Sequence, residues 1–473
     1  MPVTHEIAGS NPVGSASYKM GIFKGCDIRG RYPSELDEDV ALRFGKALGK
    51  FFSGKRILIG GDIRTHTPKL KSSMIKGLIF SGCKVLDLGI CPAPMFYYCY
   101  PKFKCAGGIM ITASHNPGEY NGFKVAMGST PVTIKQILEI KKVYDKGDFE
   151  RIRGGITKEI DSSNEYLDYI RSFYRNKFNF SICIDCSNGC YSEIAPDFLS
   201  DYGIKLTELN CRADGNFPGH VPNPAVEENL LQLKKSVAKS KADFGVAYDC
   251  DGDRVAFVDD RARVVSGEKC FLIIARYLTE RKKEKFIFET KSSSIVEEGI
   301  LELKGIPIQE KSGCTHIKAR VIKENALLGT EMNGHYFYRS LNGGDDGLFT
   351  TLLMCEILSN TGKRLSQLVD AIKEYYATPD ICIPFDESDS KRVLSDLKDD
   401  LKDFNLLTVD GVKVIFDKGW ALYKVSISEP LILMKFETKK KSDLGKVVRR
   451  FLKSQPKLLK EVKSSLEEYG MKI

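Results

Sequence analysis

Three times along the chain a short apolar run stops at a small or polar residue and gives way to helical spacing. The first run is Ile57-Leu58-Ile59-Gly60-Gly61-Asp62, with a helix over 70–81 and the strand-like Lys84-Val85-Leu86-Asp87-Leu88-Gly89 behind it. The second is Ile182-Cys183-Ile184-Asp185-Cys186, closing in Ser187-Asn188-Gly189, with a helix over 194–202 and a strand over 204–209. The third is Phe286-Ile287-Phe288-Glu289-Thr290, followed by a helix over 295–303 and an edge at Ile306-Pro307-Ile308. This β-α-β rhythm limits the fold severely. Its strands run mainly parallel, helices cover the faces, and function gathers in loops at the carboxyl ends of strands. The last stretch breaks the rhythm: 412–416, 421–425 and 431–436 are strand-like with short connections, and a helical C-terminus follows. The fold class is therefore α/β, with three similar mixed α/β domains plus a C-terminal α+β domain with an antiparallel sheet. The three units share the pattern but little sequence.

A chain of 473 residues accommodates roughly three or four domains at ~100–200 residues each. The boundaries read as a disordered tail over 1–20 and domains over 21–165, 166–270, 271–382 and 383–473, the charged helical stretch 386–403 belonging to the last. The opening tail is polar, without a hydrophobic signal core, and no apolar run approaches the roughly 20 residues of a membrane span. A cytoplasmic protein without membrane contact is expected. The 14 cysteines are scattered rather than arranged as a disulfide framework, and read as buried thiols. A net charge of +9 suits either nucleic acid or a small anionic substrate. Its excess lies in 439–463, beside the helical spacing of Leu444, Val447, Val448, Phe451 and Leu452, so it reads as a solvated helix face. No aromatic-rich RNA motif accompanies it, so nucleic acid is not an expected partner. A monomer or homodimer acting on a small anion is.

Four stretches carry chemistry. Thr112-Ala113-Ser114-His115-Asn116-Pro117 follows the apolar run 106–111, and the Asn-Pro step forces a turn. Ser114 then sits on a tight loop with its hydroxyl exposed, beside His115 and ten residues before Lys124. Such a hydroxyl either carries a transferred group or simply caps a turn. In Asp249-Cys250-Asp251-Gly252-Asp253-Arg254, flanked by apolar strands, three carboxylates at alternate positions repel each other unless a hard cation compensates. Oxygen-only ligands point to Mg²⁺ before Ca²⁺ or Mn²⁺. An EF-hand is excluded, because its sixth position takes Gly where Arg254 stands; an acidic hairpin turn remains open. Glu331, Asn333 and His335 alternate and suit the hydroxyls of a sugar, or else form a polar bend. Lys424, Ser426 and Ser428 place a cation and two hydroxyls before a turn, which suits a phosphate or a plain strand end.

Together and in this order, the four stretches resemble the α-D-phosphohexomutase family, and within it the phosphomannomutase/phosphoglucomutase branch. The resemblance runs from about Phe23 onward and includes Asp27-Ile28-Arg29-Gly30, similar to an N-terminal arginine motif, and the stretch Gly215-Asn216-Phe217-Pro218-Gly219-His220. It implies a heart-shaped protein of four domains with a cleft where they meet. It also implies a phosphotransferase of the isomerase class. Phosphorylated Ser114 would hand its phosphoryl group to a hexose 1- or 6-phosphate, and the resulting 1,6-bisphosphate would return its other phosphate. By the same resemblance Mg²⁺ is held by Asp249, Asp251, Asp253 and the phosphorylated Ser114. Arg29, Lys124 and Arg254 balance charge, and Lys124 and His335 move protons. Lys291, Glu331 and Asn333 meet the sugar; Lys424, Ser426 and Ser428 hold its distal phosphate; glucose 1,6-bisphosphate serves as activator. The chain departs from the family pattern at Lys424 and Ser428, where Arg and Thr are usual, at Asn333 for Ser, at Cys314 for His and at Cys26 for Tyr. A phosphoglucosamine mutase, or a sugar-phosphate-binding regulator with little turnover, are the alternatives.

Overall fold

The computed structural model describes residues 21–25, 27–128, 130–280, 283–385, 387–426 and 431–473. The expected tail 1–20 lies outside the described residues. Four sheets organise the rest.

The first three sheets share one plan. In the second, strands Ser181–Asp185, Lys205–Leu209 and Phe244–Tyr248 run parallel, and Val255–Asp259 turns back antiparallel against Phe244–Tyr248. In the third, Lys285–Glu289, Ile306–Glu310 and Leu328–Glu331 are parallel, and His335–Tyr338 returns antiparallel. In the first, Arg56–Gly61, Lys84–Ile90 and Gly107–Ile111 are parallel, and Tyr120–Met127 returns antiparallel. The hairpin connecting the third parallel strand to the returning strand is therefore equivalent in all three units. It holds residues 112–119 in the first, 249–254 in the second and 332–334 in the third. Three of the four chemically suggestive stretches thus occupy one topological position, at the carboxyl end of a buried parallel strand.

The parallel strands form because they are apolar on both faces. Every residue of Gly107–Ile111 and of Phe244–Tyr248 is buried, and helices cover the sheets from either side. One core runs continuously through the first three units, joining Phe96, Tyr191, Phe257, Phe286 and Phe349. The fourth unit keeps a core of its own around Val414, Tyr423, Met434 and Phe436. Its sheet is antiparallel, in line with the expectation for the C-terminal region. The helix Leu444–Phe451 buries Leu444, Val447, Val448 and Phe451 and exposes Arg449 and Arg450, so the basic excess there is a solvated face.

The expected domain seams differ from the observed elements. The cut at 165–166 falls inside the helix Ser163–Arg171, and that at 270–271 inside Gly267–Leu278. The fourth sheet also reaches back before 383, because Tyr376–Ala377 and Ile381–Pro384 pair with Leu431–Thr438. These two strands are too short to leave a periodic signal. None of the thirteen described cysteines forms a disulfide, and nine of them are buried. No described helix is long and apolar enough to cross a membrane.

Candidate active site

The three equivalent hairpins converge. Ala93 N–H donates to Asp251 O at 2.8 Å, Gly347 N–H to Gly252 O at 3.0 Å, and Val255 N–H to Gly334 O at 3.1 Å. The carboxylate loop is thus stitched by its backbone to the first unit on one side and the third on the other. Gly334 permits this approach: its φ is +99°, and a Cβ there would lie 2.7 Å from Val255 O.

Ser114 occupies the left-handed region, with φ 49°. Its N–H donates to Thr112 Oγ1 at 2.8 Å, and Thr112 Oγ1 donates to Asp251 Oδ2 at 3.1 Å. The hydroxyl, which the loop alone suggested would be exposed, is buried. Ser114 is only 2% exposed, because the second unit closes over it and Ser114 Oγ donates to Asp249 Oδ2 at 2.7 Å. His115 Nδ1 lies 3.4 Å from Ser114 Oγ. Burial and the charges of Arg254 and Arg29 hold the His115 imidazole well below its usual pKa.

Asp249, Asp251 and Asp253 are all buried, and each offers an oxygen within 4.8 Å of the others. Burial and the two neighbouring carboxylates push Asp249 well above the usual carboxylate range. Burial works the same way on Asp253, but Lys124, His335 and Arg254 together outweigh it and the group lies below its ordinary value. Lys124 Nζ donates to Asp251 Oδ2 at 2.7 Å and to Asp253 Oδ2 at 2.6 Å, and these contacts raise its pKa against the effect of burial. Asp251 Oδ1 and Asp253 Oδ1 remain buried without a hydrogen-bond partner. A buried carboxylate oxygen left so is costly. The donor set therefore fits a hard divalent cation: three convergent carboxylates, two orphaned oxygens and a hydroxyl at their edge.

Arg254 and His335 close the site. Arg254 N–H donates to Asp249 Oδ1 at 3.1 Å, and its Nε donates to His335 Nε2 at 2.9 Å. A guanidinium only donates, so Nε2 accepts and the ring proton sits on Nδ1, which donates to Asp345 Oδ2 at 2.7 Å. Glu331 pairs with His335 across the hairpin and accepts from Gly313 N–H at 2.6 Å. Burial and Glu289 raise its pKa. Asn333 Oδ1 is buried without a partner. Lys291, raised by Glu289 and Asp380 against the effect of burial, donates to Asp380 at 2.9 Å. The fourth unit touches the same hairpin where Lys435 Nζ lies 3.5 Å from Met332 Sδ.

The structure thus brings Ser114, Lys124, Asp249, Asp251, Asp253, Arg254 and His335 together. Arg29 is tied to the Ser114 loop, donating to Asn116 Oδ1 at 2.6 Å and to Asp27 at 2.7 Å. Lys424 makes none of these contacts; it pairs with Asp410 at 2.5 Å, and Asp410 also accepts from Ser312 N–H in the third unit. Ser426 N–H donates to Leu431 O at 2.9 Å. Ser428 lies outside the described residues.

Two residues escaped the reading of the sequence. Asp345, the partner of His335, had no motif to mark it. Arg64 is wholly buried and pairs with Asp62 at 3.1 Å. Its Nη1 donates to the carbonyls of Pro117 and Tyr120 at 2.5 and 3.0 Å, and its Nη2 to those of Ser114 and Asn116 at 2.7 and 2.6 Å. One guanidinium thereby fixes the whole Ser114 loop. The Phe217 ring, from the stretch 215–220, covers it, centred 5.0 Å from Arg64 Cζ. Two opposite charges directly behind an apolar strand were the available signal.

Comparison with known proteins agrees with this geometry. Residues 20–151, 164–262 and 266–375 match the family models described as phosphoglucomutase/phosphomannomutase, alpha/beta/alpha domains I, II and III. The chain is 33% identical over 458 residues to a phosphoglucomutase of Neisseria gonorrhoeae, covering 94% of this chain and 99% of that one. It is 31% identical over 452 residues to the phosphomannomutase/phosphoglucomutase of Pseudomonas aeruginosa, covering 94% and 96%. A crystal structure of a phosphoglucomutase/phosphomannomutase family protein from Burkholderia thailandensis superposes with a TM-score of 0.84 at 28% identity, covering 92% of this chain and 97% of that one. The chain therefore belongs to the phosphoglucomutase/phosphomannomutase family.

Proposed function

We propose that this protein is a hexose-phosphate mutase that interconverts the 1- and 6-phosphates of glucose, mannose or both, with Ser114 as the phosphoryl carrier. The observation that carries this reading is the 2.7 Å contact of Ser114 Oγ with Asp249, inside a cluster of three buried carboxylates and Lys124. Asp249, Asp251, Asp253 and the phosphorylated Ser114 would hold Mg²⁺, which when bound would supply charge neutralisation for a phosphoryl group.

The chain's own residues do the rest. In the forward step the bond between Ser114 Oγ and phosphorus breaks as a sugar hydroxyl oxygen bonds to that phosphorus. The sugar hydroxyl gives up its proton and the serine oxygen regains one. His335 Nε2, whose lone pair accepts from Arg254 Nε, receives the proton once Arg254 turns from it to the phosphate. Asp345 holds the imidazole in that tautomer. Lys124 stands at the serine side, and Arg29 and Arg254 balance phosphate charge. Glu331, Asn333 and Lys291 orient the sugar. Lys424, Ser426 and Ser428 hold its distal phosphate, and Lys424 exchanges Asp410 for it. Lysine offers a point charge in place of a bidentate fork there, which leaves the phosphate freer to turn. Glucose 1,6-bisphosphate primes Ser114. The reading includes a cytoplasmic enzyme, monomeric or homodimeric, with no nucleic-acid partner, built as a four-domain chain.

The test is a panel of glucose, mannose and glucosamine 1-phosphates with Mg²⁺ and a trace of glucose 1,6-bisphosphate, run on wild type and Ser114→Ala. Turnover of the glucose or mannose ester that vanishes in the variant is expected, with a phosphate on Ser114 that intact-protein mass spectrometry sees leave on adding substrate. Preference for the glucosamine ester, or an active Ser114→Ala, overturns the proposal.

A further inference from the structure

Lys291 sits in a short connection, residues 290–293, between the strand Lys285–Glu289 and the helix Ser294–Glu302. The fourth unit grips this connection at both ends. Lys413, on the strand Val412–Phe416, donates to Thr290 O at 2.8 Å and to Ser292 O at 3.4 Å. One ammonium thus holds the carbonyls directly before and directly after Lys291. Glu437, on Leu431–Thr438, accepts with one oxygen from Ser294 N–H at 2.9 Å and from Trp420 Nε1 at 2.8 Å. The Lys291 side chain itself reaches Asp380, just before the strand Ile381–Pro384 of the fourth sheet.

Lys413 is costly where it stands. It is buried with its ammonium 3.9 Å from the centre of the Trp420 ring, and burial works against its charge while Glu437 opposes this. A methionine of similar length would fill the same space without desolvating a charge. The ammonium therefore does not serve the stability of the fold. What it adds is a pair of directed, charge-assisted hydrogen bonds that fix the main chain on either side of Lys291.

We propose that Lys413 is a positioning residue for Lys291: by holding the carbonyls of Thr290 and Ser292, it sets where the Lys291 ammonium stands toward the sugar. The assignment rests on the function proposed above, in which Lys291 meets the sugar. Lysine is a point charge on a flexible stem, so its reach is only as well defined as the backbone that carries it. Loosening that backbone weakens the hold on the sugar and leaves the chemistry at Ser114 intact, so KM responds and kcat does not.

A double-mutant cycle on the mutase reaction tests this, with Lys413→Met, Lys291→Met and the two combined. Lys413→Met should raise KM for the glucose or mannose 1-phosphate that the enzyme turns over about tenfold, with kcat within about twofold of wild type. In the Lys291→Met background the same change should add nothing, because the residue it positions is gone. Lys413→Arg keeps donors for both carbonyls and should return KM toward the wild-type value. The emission of Trp420, the chain's single tryptophan, shows in each variant that the seam is still buried. Effects on KM that multiply in the double variant overturn the proposal, as does a Lys413→Met enzyme with unaltered KM; both outcomes leave the mutase function standing. A wild type that turns over neither ester overturns the function and the proposal together.

Discussion

Ser114 Oγ donates to Asp249 Oδ2 across 2.7 Å, although 135 positions separate the two residues. The contact joins equivalent hairpins of two different units. It also puts the hydroxyl against a carboxylate that is itself under strain from Asp251 and Asp253.

That strain gives Asp249→Asn opposite signs in two buffers. Without metal, the amide removes one of three mutually repelling buried charges, and the variant should melt higher than wild type in EDTA. With Mg²⁺ the wild type gains binding free energy that the variant lacks, and the order should reverse. Thermal melts of both proteins with and without Mg²⁺ check this; a variant that ranks the same way in both buffers refutes the metal reading of the cluster.

Arg64→Met should cost about 3–5 kcal/mol, because it leaves Asp62 buried and uncompensated and strips four carbonyls of their donor. Arg64→Lys should recover only part of that, since an ammonium cannot span the fork. Urea unfolding measures both. A loss below about 1 kcal/mol for Met would mean that the Ser114 loop is held by other contacts.

Asp345→Asn tests the tautomer of His335. Burial favours a neutral Asp345, but the hydrogen bond and charge of His335, together with Lys318 and Lys124, outweigh it and hold the carboxyl below its ordinary value. An amide presents either a donor or a weaker acceptor to Nδ1, so kcat should fall about 10²–10⁴-fold while KM changes little. A change in KM alone would assign Asp345 to sugar binding instead.

Lys413 predicts a pH dependence in the fourth unit. It is 3% exposed, lies 3.9 Å from the Trp420 ring centroid and donates to Thr290 O at 2.8 Å. Burial depresses its pKa from 10.5 to about 8, against the opposing pull of Glu437. Between those values the unfolded chain binds the extra proton, so raising the pH stabilises the fold. The penalty is full below the lower value and gone above the higher, a change of about 3 kcal/mol. The stability of wild type relative to Lys413→Met should rise by that amount across the window in urea titrations at fixed pH values. A constant gap would show that Lys413 stays charged in the fold.

Much of this was legible in the residues. The β-α-β rhythm showed three units, and the spacing of Asp249, Asp251 and Asp253 pointed to a carboxylate cluster that could hold a cation, because period and charge repulsion are local properties. The burial of Ser114 was not legible, since the wall that buries it comes from the next unit. Arg64 and Asp345 were missed for the same reason: each acts on backbone or side chains that only tertiary structure brings near. The seams at 165–166 and 270–271 misplaced helix interiors as boundaries, because no shift in composition marks where one core ends in a chain whose first three units share a continuous interior.

The backbone at Ser114 decides which hydroxyl amino acid this position accepts. Threonine carries the same nucleophile and is phosphorylated by the same chemistry, but its β-branch disfavours a φ of 49°. A β-hydroxyl swap that is conservative on paper would therefore drive the loop out of the left-handed region and pull the oxygen off Asp249. The choice of serine here follows from conformation rather than reactivity.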